Sequence, residues 1–171
     1  MPSATRTDTA RDYIRAFALQ PHPEGGYFAE TYRSSEKIAG PALPERFTSR
    51  RALSTAILFL LESGQVSRFH RIRADEVWHF HAGSPLALYL LEDNGACRRI
   101  CLGLDIAAGQ HPQVLVPHDT WFGAIPMEAD SFSLAGCTTA PGFEFSDFEL
   151  ADAAALVADF PRHREIIRRL T

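Results

Sequence analysis

Short runs of apolar and β-branched residues recur along most of the chain, with glycine, proline and asparagine turn signals between them. Runs of this length, many of them alternating between apolar and polar positions, are typical of β-strands. The pattern predicts strands at Tyr27–Arg33, Leu53–Leu61, Ser67–Ile72, Glu76–His81, Leu86–Glu92, Arg98–Leu102, Gln113–Val116, Thr120–Ala124, Ser131–Cys137 and Glu144–Asp147. Many short strands with frequent turns indicate a sandwich or barrel and not a parallel α/β sheet.

The hydrophobic period changes at both ends of the chain. Apolar residues at helical spacing predict a short opening helix over about residues 12–19 and one or two closing helices over about residues 151–170. Pro161 suits the first turn of the last helix, where a missing N–H costs nothing. A chain of 171 residues is long enough for one buried core. We therefore predict one all-β domain over residues 1–171, with its barrel core at about 27–148.

Composition and charge exclude several classes of protein. The net charge of −4, with 46% hydrophobic and 22% charged residues, gives no reason to expect nucleic-acid binding or an anionic membrane surface. The longest apolar run, Ala56–Leu61, is too short to span a bilayer, and the first residues lack the apolar segment of a secretory signal. Cys97, Cys101 and Cys137 are odd in number and lack CxxC spacing, which predicts reduced thiols in a cytoplasmic protein.

The segment from Gly64 to Gly83 resembles the first motif of the cupins. That motif has a glycine, five residues, His-x-His, three or four residues, a glutamate, six residues and a second glycine. Here Gly64, His70, Glu76 and Gly83 stand at those spacings, and Ile72 occupies the position of the second histidine. The resemblance implies a double-stranded β-helix, the jelly-roll barrel of the cupins.

The second cupin motif is less complete. The usual pattern ends in Pro-x-Gly-x-x-His, and the run from Pro117 to Phe122 aligns with it. Asp119 stands where glycine is usual, and Phe122 stands where the last metal-binding histidine is usual.

Four segments also resemble a narrower family of small cupins, the cupin-5 or DUF985 group. They are His22–Tyr27, Glu30–Ser34, Ala74–Phe80 and Gly136–Phe143. This resemblance implies the cupin fold and a homodimer with strand exchange. It implies little about the reaction.

Strand alternation predicts which side chains face the barrel interior. Alternate residues of a strand share a face, so an inward His70 brings Ile72 with it, and an inward Glu76 brings Trp78 and Phe80. An imidazole beside a carboxylate in an apolar cavity can act as a general base. We predict that His70 and Glu76 are the catalytic residues, with His70 as the base and Glu76 as its orienter or a substrate contact.

Aromatic and polar residues on the predicted strands are candidates for ligand contacts. They could stack on a planar ligand or fill the barrel core. The predicted substrate-binding residues are Glu30, Tyr32, Ile72, Trp78, Phe80, Tyr89, Trp121 and Phe122. Glu30 and Tyr32 are expected on one face of their strand.

A metal site is the alternative use of the same two groups. An ordinary cupin site has three histidines and a glutamate, whereas this chain keeps only His70 and Glu76 of that set. His79 and His81 form a second His-x-His, but alternation from Glu76 puts them on the opposite face of the strand.

Three functions remain open from the sequence. The leading one is an isomerase or epimerase acting on a small polar, sugar- or base-containing metabolite in the barrel, with no cofactor expected. The second is a non-catalytic ligand-binding cupin, and the third is an enzyme with a divalent metal at His70 and Glu76. The partners expected are a small-molecule ligand and a second copy of the chain, without nucleic acid or membrane.

Overall fold

The computed structural model describes residues 8–171 and is built mainly from antiparallel strands. The first seven residues of the predicted domain lie outside the described residues. The strands are β1 (Gln20–Pro21), β2 (Tyr27–Arg33), β3 (Lys37–Ile38), β4 (Arg51–Ala52), β5 (Thr55–Glu62), β6 (Ser67–Ile72), β7 (Asp75–Gly83), β8 (Leu86–Leu91), β9 (Cys97–Leu102), β10 (Gln113–Val116), β11 (Trp121–Pro126), β12 (Phe132–Ala140) and β13 (Phe148–Leu150).

Short helices flank the strands. The α-helices are α1 (Ala10–Ala16), α2 (Ala153–Asp159) and α3 (Arg164–Arg169), and 3-10 turns cover Gly40–Ala42, Phe145–Asp147 and Pro161–His163. In the described part of the chain, no helix is long and apolar enough to cross a membrane.

Two sheets face each other across the main core. One has the order β1-β2-β5-β12-β7-β10 and the other β13-β6-β11-β8-β9, while β3 and β4 form a separate pair. The inner faces of the two large sheets pack large apolar side chains together, among them Phe59, Trp78, Leu88, Leu102 and Phe122. Burying such side chains contributes about 1.5–3 kcal/mol each, so this layer dominates the stability of the barrel.

The terminal helices pack on part of the outer face of each sheet. Helix α1 packs on Leu60 and Leu134 of the six-stranded sheet. Leu156 of α2 and Ile167 of α3 pack against Phe69 of the five-stranded sheet. The antiparallel fold with helices at its ends is therefore the all-β architecture that the strand pattern predicts.

Two predicted elements differ from the structure. The opening helix begins at Ala10, where Thr9 and Asp12 form a capping box, and ends at Ala16 because Ala18 adopts a left-handed conformation with φ 51°. The predicted strand at Glu144–Asp147 is wrong. Residues Phe145–Asp147 form a 3-10 turn instead, and the strand begins only at Phe148.

A buried ion pair holds that turn in place. The guanidinium of Arg51 donates from Nε to Asp147 Oδ2 at 2.7 Å and from Nη2 to Asp147 Oδ1 at 2.6 Å. Arg51 Nη1 donates to the carbonyl oxygens of Ser49 and Arg50. Because both charged side chains are buried, this two-point contact ties the turn before β13 to strand β4.

Removing one partner of this pair should be costly. We predict that Asp147→Ala lowers the free energy of unfolding by about 3–5 kcal/mol, because it leaves the Arg51 guanidinium buried without its counter-charge. Urea unfolding measures the change. The control is Glu149→Ala, which removes the exposed partner of Arg71 and should cost at most about 1 kcal/mol. Equal losses in the two variants would contradict the role given to the buried pair.

Candidate active site

A cavity of about 90 Å³ opens between the inner faces of the two sheets. Strands β2, β5, β7 and β12 form one wall, β6 and β13 form the other, and two loops close the ends. Its lining is partly charged and partly aromatic: His22, Glu24, Phe28, Glu30, Arg33, Thr55, Ile57, Phe59, His70, Ile72, Glu76, Trp78, Cys137, Thr139, Phe143, Glu144, Phe145 and Phe148.

The turn between β1 and β2 carries Glu24 into the cavity. Gly25 and Gly26 both have positive φ, and a β-carbon on either would clash with a backbone carbonyl, that of Val66 or Leu60. Only glycine permits this conformation and this approach at low cost. The backbone N–H of Arg68 donates to the Glu24 carbonyl at 2.9 Å, which fastens the turn to β6. Glu24 is buried as a result.

Inside the cavity the Glu24 carboxyl lies between two imidazoles. Its Oε2 is 3.3 Å from His70 Nε2 and 3.3 Å from His22 Nδ1. Its Oε1 accepts a hydrogen bond from Ser67 Oγ at 2.8 Å. The three titratable groups are therefore in direct contact and must share their protons.

Hydrogen bonds to the backbone assign the tautomers of both histidines. His70 Nδ1 lies 2.8 Å from the Arg68 carbonyl oxygen, so it carries a proton and donates. His22 Nδ1 accepts the N–H of Glu24 at 3.3 Å. In the neutral rings, both nitrogens that face Glu24 thus present lone pairs. A proton on Glu24 relieves the repulsion between them and the carboxyl oxygen.

Burial shifts the pKa values of Glu24, His22 and His70 in the direction that this arrangement requires. It raises the pKa of Glu24 to about 8, although the Ser67 hydrogen bond and the charge of Arg68 act to lower it. Burial lowers the pKa of His22 to about 4, and repulsion from His70 lowers it further. Burial also lowers the pKa of His70, against the opposing effects of Glu76 and the Arg68 carbonyl. At neutral pH the cluster holds neutral rings and a protonated carboxyl.

Glu76 is the second buried carboxyl group, and it is only 8% exposed. Within the described residues, its Oε2 and the Trp78 Nε1 find no partner at hydrogen-bonding geometry. Burial raises the pKa of Glu76 to about 7; the charge of Glu24 adds to the rise, and His70, Trp78 and Cys137 oppose it. An unpaired buried carboxyl oxygen costs free energy, so a donor from a ligand would stabilise it.

A charged group and a set of rings close the outer end of the cavity. Arg33 donates to both carboxylate oxygens of Glu30, at 2.9 and 2.8 Å, and to Glu144 at 2.9 Å. Phe145 stacks on the His22 ring with centroids 6.0 Å apart, and Phe148 packs against His70 at 5.3 Å. The turn that Arg51 and Asp147 stabilise therefore carries part of the lid.

Five of the predicted site residues come together in this cavity. His70 and Ile72 of β6, Glu76 and Trp78 of β7, and Glu30 of β2 all line it. Two others, Phe80 and Phe122, face the interior but pack in the core beyond the cavity lining. Phe122 still contacts the site, because its ring centroid lies 4.2 Å from that of His70.

Three predicted ligand contacts lie elsewhere. A bulge between Glu30 and Tyr32 shifts the register of β2, so Tyr32 points to the outer face, and the expectation that these two residues share a face is wrong. Tyr89 and Trp121 pack on the outer face of the five-stranded sheet, under the closing helices. The Arg71 guanidinium lies 4.5 Å from the centre of the Trp121 ring.

Several cavity residues were absent from the sequence-based site. They are His22, Glu24, Phe28, Arg33, Thr55, Ile57, Phe59, Cys137, Thr139, Phe143, Glu144, Phe145 and Phe148. The signal that could have found Glu24 is the Gly25-Gly26 pair after it, because paired glycines mark close backbone approach. Nothing comparable marks Phe143 and Phe145, which come from the irregular segment between β12 and β13.

The residues of the site do not fit a metal ion. No group of three His, Cys, Asp or Glu side chains in residues 8–171 is arranged to hold one. Ile72 and Phe122 replace two imidazoles of the usual cupin set, and the Phe122 ring packs directly on His70. His79 and His81 lie away from the cavity: His79 contacts Gln113 and Thr138, and His81 packs beside Gly136. Among residues 8–171, the site therefore lacks the ligand set of a cupin metal ion.

A family comparison agrees with the fold. The profile of Cupin_5, described as Cupin superfamily (DUF985), matches residues 11–151. The chain belongs to the Cupin_5 family. A search of curated proteins finds no match to this Cupin_5 protein.

Several solved structures are similar to this chain in fold. A protein from Shewanella oneidensis is 42% identical, with a TM-score of 0.86 over 96% of this chain and 98% of its own. A hypothetical protein from Leishmania major is 32% identical, with a TM-score of 0.84 over 96% of this chain and 99% of its own. Oxalate decarboxylase from Bacillus subtilis is 12% identical, with a TM-score of 0.52 over 88% of this chain and 37% of its own. That last likeness concerns the fold alone.

The raised pKa of Glu76 predicts how stability depends on pH. A carboxyl whose folded-state pKa rises from 4.5 to about 7 stabilises the fold fully below pH 4.5, and this contribution is lost as the pH rises through 7. We predict that the difference in unfolding free energy between Glu76→Gln and the wild type changes with pH. As the pH rises from 4.5 to 8, it should shift by about 3 kcal/mol in favour of Glu76→Gln.

Urea unfolding across this pH range measures the difference. The control is Glu92→Gln, which alters a partly exposed carboxylate paired with Arg98. Its unfolding free energy should differ from that of the wild type by a nearly constant amount across the pH range. Parallel pH curves for Glu76→Gln and the wild type would contradict the buried, unpaired state of Glu76.

Proposed function

We propose that this Cupin_5 protein binds a small polar metabolite in its barrel and catalyses a proton transfer of the isomerase or epimerase kind. The observation that carries the proposal is the contact of His70 with Glu24 in the same closed cavity as the unpaired carboxyl oxygen of Glu76. Such a constellation supplies a base, a store for one proton and a free polar contact. It uses no cofactor.

His70 is the base in this proposal. Its ring is neutral because burial lowers its pKa, and the Arg68 carbonyl holds it in one tautomer. The basic atom is Nε2: it accepts the substrate's proton while the Glu24 proton is directed to His22 Nδ1, which lies 3.3 Å from the same carboxyl oxygen, and the imidazolium then donates to Glu24 or returns the proton to the substrate. Glu24 thus takes the orienting role, and Glu76 serves as the substrate contact.

The size of the cavity limits the substrate. An apolar cavity of roughly 150 Å³ holds a benzene molecule, so a cavity of this kind accommodates about four non-hydrogen atoms. A sugar or base ring would need the Phe145 side chain, which is 54% exposed, to swing aside. The substrate is a metabolite of a few heavy atoms or the reacting end of a longer one.

Exchange of a carbon-bound proton with solvent tests the reaction class, and it requires no assay for a particular product. We predict that the protein, incubated in D₂O with a panel of small amino, oxo and hydroxy compounds, introduces deuterium next to the carbonyl or imine carbon of one of them. Replacing the base as His70→Gln should slow that exchange by about 10²–10⁴-fold. Mass spectrometry of the panel measures the incorporation.

The matched control is His79→Gln, because His79 lies on the outer face of β7, away from the cavity, and hydrogen-bonds to Gln113 and Thr138. It should exchange at the wild-type rate. If a compound binds saturably and binding survives His70→Gln, but no deuterium enters, the protein is a non-catalytic ligand-binding cupin and the proposal is wrong.

We further propose that the protein is a homodimer, formed through the outer face of the six-stranded sheet. One row of this face crosses neighbouring strands through Tyr32, Ala56, Thr138, Val77 and Leu115. Its two end residues, Tyr32 and Leu115, are 53% and 51% exposed. Large exposed apolar side chains at the two ends of one sheet face are typical of an interaction surface.

Native mass spectrometry tests this assembly. We expect a dimer for the wild type and a monomer for Leu115→Glu, because a buried unpaired carboxylate disfavours the interface. The control is Ile106→Glu in an exposed loop, which should leave the mass unchanged. A monomeric wild type would rule the dimer out.

We also propose that the protein is located in the cytoplasm. Its three free cysteines suit a reducing compartment, and cell fractionation tests this location.

A further inference from the structure

The cavity has more acidic than basic groups. Among the described residues that line it are four carboxyl groups, those of Glu24, Glu30, Glu76 and Glu144, and a single guanidinium, that of Arg33. The cavity therefore provides few positive partners for a negatively charged ligand.

Arg33 already has its partners. Two of its nitrogens donate to Glu30, one of these donates also to the Phe143 carbonyl at 3.0 Å, and Nη1 donates to Glu144. This group therefore offsets one of the two carboxylate charges at the mouth of the cavity and does not neutralise Glu76.

The two histidines do not supply a stable positive charge either. Burial keeps the pKa of both rings below the ordinary value, and the tautomers assigned above leave them neutral. Facing Glu76 are His70 from β6, Trp78 from β7, Cys137 from β12 and Glu24 from the turn. Cys137 is buried, and burial raises the pKa of its thiol, so it stays uncharged. Among residues 8–171, the Glu76 carboxyl thus has no cationic partner.

Aromatic rings form much of the remaining wall. Phe28, Phe59 and Trp78 belong to strands, and Phe143, Phe145 and Phe148 come from the segment that closes the cavity. The faces of such rings carry negative electrostatic potential and attract cations. Rings and carboxyl groups together favour a positive ligand over a negative one.

We propose that the ligand of this cavity carries a small organic cation with N–H donors, an ammonium or amidinium group, which Glu76 binds. This inference rests on the proposed function only in taking the cavity as the binding site. The cation's N–H would donate to the carboxyl of Glu76, for which the described residues that line the cavity supply no cationic partner. An amidinium of about four non-hydrogen atoms also matches the cavity size.

Three ligands of nearly equal shape test the charge preference. Acetamidinium, acetamide and acetate are planar and have the same number of non-hydrogen atoms, so they differ mainly in charge. Binding to the wild-type protein at pH 7 is measured by isothermal titration calorimetry and by ligand-observed NMR. We expect acetamidinium to bind about tenfold more tightly than acetamide, because hydrogen bonds to charged groups are the stronger ones, and acetate to bind most weakly.

Two further readouts connect the preference to Glu76. Cation binding should release protons, since Glu76 must ionise, and calorimetry in two buffers with different ionisation enthalpies measures that release. Glu76→Gln should abolish the tenfold preference of acetamidinium over acetamide. Glu92→Gln is the matched control outside the cavity and should retain that preference.

The outcomes separate this inference from the proposed reaction. Acetate binding as tightly as acetamidinium, or no binding of any of the three, overturns the cationic ligand, whatever the deuterium exchange shows. Acetamidinium selectivity that depends on Glu76 supports it even if the exchange experiment fails. The wild-type series decides between these outcomes without depending on the folding of any variant.

Discussion

The desolvation of two carboxyl groups in one small cavity is the constraint on which the rest of the site depends. Glu24 and Glu76 are both buried, and water is replaced around them by rings, a hydroxyl and imidazoles. In these surroundings each carboxyl keeps its proton to higher pH than in water. The neutral histidines, the shared proton and the preference for a donor-bearing ligand all follow from that burial.

The barrel supplies this environment through a few local devices. The Gly25-Gly26 turn brings Glu24 against β6, where His70 and Ser67 receive it. On the opposite side, Arg51 fixes Asp147, so the turn that follows Glu144 stays closed over the cavity. Both devices lie in irregular segments, and the strands provide the rigid frame that holds them in register.

Much of the fold was predictable because strand alternation is a local property. The inward positions of His70, Glu76 and Trp78 follow from counting residues along β6 and β7. The same alternation gave the wrong face for Tyr32 in β2, because a bulge there turns its side chain to the outer face. It also had no means of finding Glu24, which meets His70 only through the folded turn. The conformation of the Phe143–Phe148 segment could not be predicted from hydrophobic periodicity for a related reason. The buried ion pair of Arg51 and Asp147 sets that conformation, and it joins residues far apart in the sequence.

The most direct test of these two desolvated carboxyl groups is a titration of the glutamate side chains by carbon-13 NMR, in the wild type and in Glu24→Gln and Glu76→Gln. We expect two resonances with pKa values near 8 and near 7, each missing from the corresponding variant. If every glutamate in the wild type titrates near the ordinary value of about 4.3, the two groups are hydrated or paired, and their desolvation is contradicted.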